Sequence, residues 1–272
     1  MIPTGRAFDK MSGSGNDFVV VDAMPAPVDA LLNPDRVQAI CARATGVGAD
    51  GLVLLEPSAI ADYRMTYLNS DGSRADLCGN ASLCSARLAS ELGLLTSSDF
   101  RIETDAGILN ARLLEDGPEI DLQAVVDVRP GLPFRLGTGE QGIGFALAGV
   151  PHLVVRVADV AIVDVRERGR SLRNDPSLEH GANVNFVSRD AGGAWRVRTY
   201  ERGVEGETLA CGTGAVATAI LLAEAGEIQE VVSLTTRSGR ALRVRLSHSQ
   251  TGWHPSLAGE ARIVFTGHLG EL

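Results

Sequence analysis

Residues 200–226, YERGVEGETLACGTGAVATAILLAEAG, decide how the rest of the chain is read. They set an acid beside a base (Glu201, Arg202), then an acidic glycine turn, then Cys211 in a glycine-rich step directly before a long apolar run. A cysteine at the start of a helix faces backbone N–H groups that have no acceptor within the helix, and it meets the positive end of the helix dipole. Both favour its thiolate. The stretch therefore places a reactive sulfur at Cys211.

The first half of the chain repeats this arrangement. Residues 78–93, CGNASLCSARLASELG, lie on residues 211–226, CGTGAVATAILLAEAG, without a gap. Cys78, Gly79, Ala86, Leu88, Glu91 and Gly93 match Cys211, Gly212, Ala219, Leu221, Glu224 and Gly226. The repeat extends downstream, where residues 104–107 (TDAG) correspond to 236–239 (TRSG), each leading into an alternating stretch. Upstream, Asp71-Gly72 precedes Cys78 as Glu205-Gly206 precedes Cys211, and Asp17-Phe18-Val19-Val20 is laid on His152-Leu153-Val154-Val155. Two copies of one α/β unit follow, with expected boundaries at 1–117 and 118–272 and a final strand that can return to the first half.

Composition limits the partners. With 272 residues and a net charge of −9 the chain can bury a sizeable core, and it offers no basic cluster to nucleic acid or to an anionic membrane. No apolar run approaches the ~20 residues of a membrane span, and MIPTGRAFDK lacks the apolar core of a signal peptide, so a cytoplasmic protein is expected. Cys41, Cys78, Cys84 and Cys211 form no CxxC or CxxH pair, so no metal site is expected. Lys10 is the only lysine and would have to carry any internal Schiff base, yet nothing around it suggests a cofactor pocket.

Along the chain, residues 18–22 (FVVVD), 52–56, 63–68, 153–157 and 183–187 read as strands, and 160–172 as a helix. Val37, Ile40 and Cys41 fall at helical spacing, which makes Cys41 a buried helical residue. Residues 46–51 match GxGxxG, but a helix pattern precedes them and a strand follows. That order is the reverse of a dinucleotide fingerprint and reads as a glycine turn. Residues 115–133 are the expected crossover between halves. Cys84 has Ala217 as its counterpart and reads as packing, and His180 and His248 as surface residues.

Two units facing each other across a pseudo-two-fold axis would each present a cysteine and a helix N-terminus to one cleft. That suits the α-carboxylate of an amino acid, held by the N–H groups of Gly79, Asn80, Gly212 and Thr213. With thiols on opposite faces of the α-carbon, one removes the α-proton and the other returns a proton to the far face. This is a two-base racemase or epimerase that needs no cofactor. The thiol's ordinary pKa is about 8.5, far below that of an α-proton, so the site must stabilise the developing carbanion.

The residues also resemble the diaminopimelate epimerase family over most of the chain: GSGNDFVVVD (13–22), GVGADGLVLLE (46–56), YLNSDGSRADLCGN (67–80), GVPH (149–152), NVNF (183–186) and YERGVEGETLACGTGA (200–215). The resemblance implies two α/β halves, each a mixed or antiparallel sheet wrapped around a central helix, and a homodimer. It implies interconversion of LL- and meso-diaminopimelate for lysine and peptidoglycan precursors. Cys78 and Cys211 would be the acid/base pair, with His152 and Glu201 as polar partners that tune the site. Asn16, Asn69, Asn183, Glu201 and Arg202 would bind the substrate, and Gly79, Asn80, Gly212 and Thr213 its reacting carboxylate.

Three positions depart from the family pattern. Val150 stands where GNPH has asparagine, ERGVEGET is one residue longer than ERGxGET, and GNASLC replaces GNGARC. The residues alone leave open a racemase for another amino acid of the histidine or proline type, a dithiol redox protein using Cys78 and Cys211, and a non-enzymatic amino-acid-binding module.

Overall fold

The computed structural model describes residues 5–26 and 28–271; residues 1–4, part of the stretch read for a leader, lie outside the described residues. In chain order the elements are β1 (Ala7–Gly13), β2 (Asn16–Asp22), α1 (Pro34–Cys41), β3 (Gly51–Glu56), β4 (Tyr63–Asn69), α2 (Gly79–Glu91), β5 (Asp99–Thr104), β6 (Gly107–Leu114) and β7 (Gly117–Asp121). There follow β8 (Val128–Arg129), β9 (Glu140–Ala148), β10 (Val150–Val157), α3 (Val165–Arg173), β11 (Asn183–Arg189), β12 (Trp195–Glu201) and β13 (Gly206–Thr208). The chain ends with α4 (Gly212–Glu224), β14 (Val231–Thr235), β15 (Ala241–Ser249), β16 (Gly252–Gly259) and β17 (Arg262–His268). It divides into two units, one running to Ile120 and resuming at Gly259, the other Asp121–Ala258. The expected boundary at 117/118 lies three residues before the observed one, and the residues from Gly259 onward belong to the first unit because β17 pairs antiparallel with β1.

Within the first unit β1 and β2 are antiparallel, β2 and β3 parallel, β3 and β4 antiparallel, β4 and β5 parallel, and β5 and β6 antiparallel. Both faces of the β2–β3 ladder are covered, which is why FVVVD and GLVLLE are continuous apolar runs without alternation. Val19, Val21, Leu52 and Leu54 join Val37, Ile40 and Cys41 of α1 in one core cluster. The period of two turns Phe18, Val20 and Val53 to the opposite face, towards α2. That helix is buried from Asn80 through Ala86 and is built of alanine, serine and leucine, so strands can approach it closely on several sides. At Gly13 an added Cβ would stand 3.0 Å from the Asn80 carbonyl oxygen and from Cys84 Sγ.

Within the second unit the same alternation recurs. β9 and β10 are antiparallel, β10 and β11 parallel, β11 and β12 antiparallel, β12 and β14 parallel, and β14 and β15 antiparallel. Leu153, Val155, Val184, Phe186 and Tyr200 pack with Val165 and Leu172 of α3. The other face of β10 and β11 carries His152, Val154 and Asn185 towards α4, which is buried from Gly214 through Leu222.

The pairing corrects the sequence superposition of the early strands by one residue. Phe18 is opposite Gly51 as His152 is opposite Asn183, so Phe18, not Asp17, takes the place of His152. The helix expected over 160–172 starts at Val165 because Asp164 caps it, accepting from Glu167 N at 3.0 Å; Val160–Ile162 form a separate 3-10 turn. The expected crossover at 115–133 contains β7 and β8. Residues 46–51 connect α1 to β3 as a glycine turn, with Gly48 at φ +78°.

Candidate active site

The two cysteines that open the buried helices have one backbone conformation. Cys78 is the N-cap of α2 with φ −134° and ψ 114°, and Cys211 is the N-cap of α4 with φ −137° and ψ 112°. Each carbonyl accepts the first helical hydrogen bond, from Ser82 N at 2.9 Å and from Ala215 N at 3.0 Å. The N–H groups of Gly79 and Asn80, and of Gly212 and Thr213, therefore precede the first intrahelical donor at each helix start. Both helices close alike, with Gly93 at φ +68° and Gly226 at +71° just beyond their ends.

In the first unit a chain of oriented polar groups leads to the start of α2. Asp50 accepts from Arg43 at 2.5 Å, from Asp17 N at 3.2 Å and from Asn16 Nδ2 at 3.0 Å. Asn16 Oδ1 in turn accepts from Asn80 Nδ2 at 2.7 Å. Asn80 Oδ1 is buried and meets no protein hydrogen-bond partner. Asn69 lies at the end of β4, its Nδ2 donating to Ser73 Oγ at 3.0 Å in the turn that carries Gly72 at φ +82°. Lys10 is held by Asp17 at 2.5 Å and by the Gly48 carbonyl. Burial raises the Asp17 carboxyl, but hydrogen bonds from Arg43 and Lys10 outweigh it and hold that pKa below the usual range.

Sequence reasoning missed Tyr67. Its phenol shares a side-chain hydrogen bond with Cys78, and its pKa is driven well above the usual value, first by burial and then by its electrostatic interaction with Cys78. Gly51 makes the room, since a Cβ there would stand 2.5 Å from Tyr67 Cε2. The other thiols differ from the helix-capping pair in their surroundings. Burial pushes Cys41 up to about 11 and raises Cys84 further, as expected of packing residues.

The second unit holds Cys211 differently. Gly214 N donates to Cys211 Sγ at 3.4 Å, and Thr213 Oγ1 lies 3.6 Å from the same sulfur. His152 is fully buried; that burial, with a smaller effect from the Arg202 charge, pulls its pKa down to about 3. The imidazole is therefore neutral at physiological pH. Its Nδ1 lies 3.2 Å from Asn185 Nδ2, and its Nε2 is buried with no protein hydrogen-bond partner. Asn185 is a second residue the sequence reading passed over. In NVNF it stands two positions from Asn183, hence on the same strand face, and that spacing was the available signal.

Glu201 and Arg202 close β12. Thr208 Oγ1 donates to Glu201 Oε1 across the β12–β13 pair, Arg202 N donates to Asn183 Oδ1 at 2.7 Å, and Arg202 Nη1 donates to the His180 carbonyl at 3.0 Å. The longer ERGVEGET loop is taken up in the turn after them. Glu205 adopts φ +55° and accepts from Gly203 N at 3.1 Å, Arg173 Nε at 3.0 Å and Tyr200 Oη at 3.2 Å. Val150, half-buried, follows Gly149 in the β9–β10 turn, where a Cβ on Gly149 would lie 3.9 Å from Thr213 Cγ2. His180 and His248 are exposed, and the His248 ring packs at a tilt against Trp253, with centroids 4.7 Å apart. Among the described residues no helix is long and apolar enough to cross a membrane, and no group of three or more His, Cys, Asp or Glu could hold a metal.

Comparison with known proteins agrees with this anatomy. The family model described as Diaminopimelate epimerase matches residues 8–128 and again 145–264, one match in each repeat. A diaminopimelate epimerase from Gemmatimonas aurantiaca is 48% identical over 98% of this chain and 100% of its own length. One from Aquifex aeolicus is 41% identical over 97% and 98%. A solved PhzF-family phenazine biosynthesis protein from Bacillus anthracis superposes with a TM-score of 0.72 at 19% identity, covering 98% of each chain, and so shares the fold. The matching blocks run through both cysteine-capped helices and through strands of both units, and the chain belongs to the diaminopimelate epimerase family.

Proposed function

We propose that the protein is a diaminopimelate epimerase that inverts one α-carbon, interconverting the LL and meso forms without a cofactor, in lysine and peptidoglycan precursor synthesis. The observation that carries this reading is the identical placement of Cys78 and Cys211 as N-caps of equivalent buried helices, in a chain 48% identical to a diaminopimelate epimerase. One thiolate removes the α-proton, and the thiol of the other cysteine delivers a proton to the opposite face. The helix-start N–H groups at Gly79, Asn80, Gly212 and Thr213 hold the reacting carboxylate and stabilise negative charge as it moves onto the α-carbon.

Asn16, Asn69, Asn183 and Arg202 bind the amino and carboxylate groups of the distal centre, with Glu201 and His152 as polar partners of the reacting end. The hydrogen bonds that fix Asn16, Asn183 and Arg202 support this assignment, because a preoriented donor or acceptor has less freedom to lose on binding. We also propose a cytoplasmic homodimer, on the resemblance to the family; light scattering of the pure protein tests the dimer. The activity is tested by incubating the protein with single stereoisomers in D2O and following α-proton exchange and inversion. Turnover of diaminopimelate but not of histidine or proline is expected, and no exchange with any amino acid would remove the epimerase reading.

A further inference from the structure

We infer that Asn185 is a positioning residue that holds His152 as the Nε2–H tautomer, so that the imidazole serves the bound amino acid as a neutral hydrogen-bond donor and not as a proton acceptor. The inference deepens the epimerase reading and rests on it for the identity of the ligand. Its starting point is the orientation of the Asn185 amide. Asn185 is fully buried; its Oδ1 accepts from Thr199 Oγ1 at 2.9 Å, and its Nδ2 donates to the Leu153 carbonyl at 3.0 Å. A carbonyl oxygen can only accept, so the amide cannot be turned over without setting Oδ1 against the Leu153 oxygen. The same Nδ2 lies 3.2 Å from His152 Nδ1, which must therefore be the bare, accepting nitrogen.

A neutral imidazole then carries its proton on Nε2. That atom is buried without a protein partner, which leaves a donor for a substrate oxygen or for negative charge that develops during the reaction. Both nitrogens are committed, one to accepting from Asn185 and one to its own proton, so no lone pair is left to take a proton from a thiol.

The repeat shows that this polar arrangement is particular to one unit. The strand registers make Phe18, Val53 and Tyr67 the counterparts of His152, Asn185 and Thr199. In the first unit the place is filled by an aromatic edge-to-face pair, Phe18 and Tyr67, with centroids 6.0 Å apart. In the second unit the same place holds a hydrogen-bonded trio. A buried amide there needs room, and α4 supplies it at Gly214, where a Cβ would come within 2.2 Å of Asn185 Oδ1; the first unit has Ala81 at that position. Replacing an apolar core position with a satisfied amide has a cost that the histidine's orientation accounts for.

Histidine-labelled protein at neutral pH gives the test through two-bond 1H–15N correlation spectra, with the His152 ring assigned by its loss in His152→Gln. The wild type should show a neutral ring protonated at Nε2. Asn185→Asp, whose side chain accepts but does not donate, should move the ring proton to Nδ1 and lower kcat roughly ten- to a hundredfold, with KM changed much less. A wild-type ring protonated at Nδ1, or charged, would overturn the inference even if the variant fails to fold. So would an Asn185→Asp protein that keeps the Nε2–H pattern and full kcat. Failure of wild-type protein to exchange diaminopimelate in D2O would remove the epimerase reading while leaving the tautomer measured.

Discussion

Cys78 and Cys211 share a backbone conformation to within 3° in φ and 2° in ψ, each as the N-cap of a thirteen-residue buried helix. Their side-chain partners nevertheless differ, a Tyr67 phenol for one and a Gly214 N–H for the other. If both sulfurs carry protons in the reaction, Cys78→Ala and Cys211→Ala should each lower inversion by roughly 10²- to 10⁴-fold or more. Thermal melts should stay near the wild type, since neither residue is part of the fully buried core. Undiminished turnover in either variant would refute the two-base assignment.

Gly214 should tolerate no side chain. Its backbone is helical, so alanine is not excluded by φ, but the added Cβ would lie 2.2 Å from Asn185 Oδ1. Gly214→Ala is expected to destabilise the protein by about 1–3 kcal/mol and to lower kcat by displacing the Asn185–His152 pair. Urea denaturation and steady-state kinetics on the one variant check both parts. A stabilised, fully active variant would contradict the packing described.

Asp50 should act on substrate binding from a distance. It orients Asn16, which orients Asn80 at the start of α2. Asp50→Asn leaves shape intact but replaces a charged acceptor, and hydrogen bonds to charged groups contribute about 1.5–3 kcal/mol. KM for diaminopimelate should therefore rise roughly tenfold or more, with a smaller change in kcat.

Acid stability should carry the mark of His152. Its pKa falls from an ordinary 6.5 to about 3 on folding, so between those values the unfolded chain binds more protons than the folded one. Stability is then complete above about pH 6.5 and is lost as pH falls towards 3, at up to about 1.4 kcal/mol per pH unit from this group. Asp17 and Glu140, whose pKa values are lowered by arginine partners despite burial, add the same sign of dependence in the carboxylate range. His152→Gln should flatten the decline between pH 6.5 and 5, measured by urea midpoints; a parallel decline would count against a neutral buried imidazole.

Much of this molecule is legible in its sequence because the decisive signals are local. A cysteine, a glycine and an apolar run define each helix start, and the 133-residue offset between Cys78 and Cys211 reveals the repeat. What escaped notice depends on register. The sequence of β9 does not read as a strand because Gly142 and Gly144 dilute its pattern, yet close packing needs one of them: a Cβ on Gly144 would stand 2.9 Å from Leu221 Cδ2. Tyr67 and Asn185 look like ordinary strand residues in the sequence; their two-residue spacing from Asn69 and Asn183 places them on the same strand faces, but only strand pairing sets Tyr67 opposite Val53 and His152 opposite Asn183, and so brings Asn185 beside the His152 ring. The one-residue slip that placed Asp17 opposite His152 has the same cause, since neighbouring apolar residues in FVVVD fit either alignment until hydrogen bonds choose one.

Proton transfer by two different groups leaves its mark in the isotopic content of early product, which tests it directly. LL-diaminopimelate bearing protium is incubated with the wild-type protein in D2O, and substrate and product are separated within the first few per cent of conversion. Two cysteines acting on opposite faces predict meso product carrying deuterium at the inverted carbon, with the remaining LL substrate still protiated there. Product that retains protium, or deuterium entering the substrate without inversion, would contradict the account.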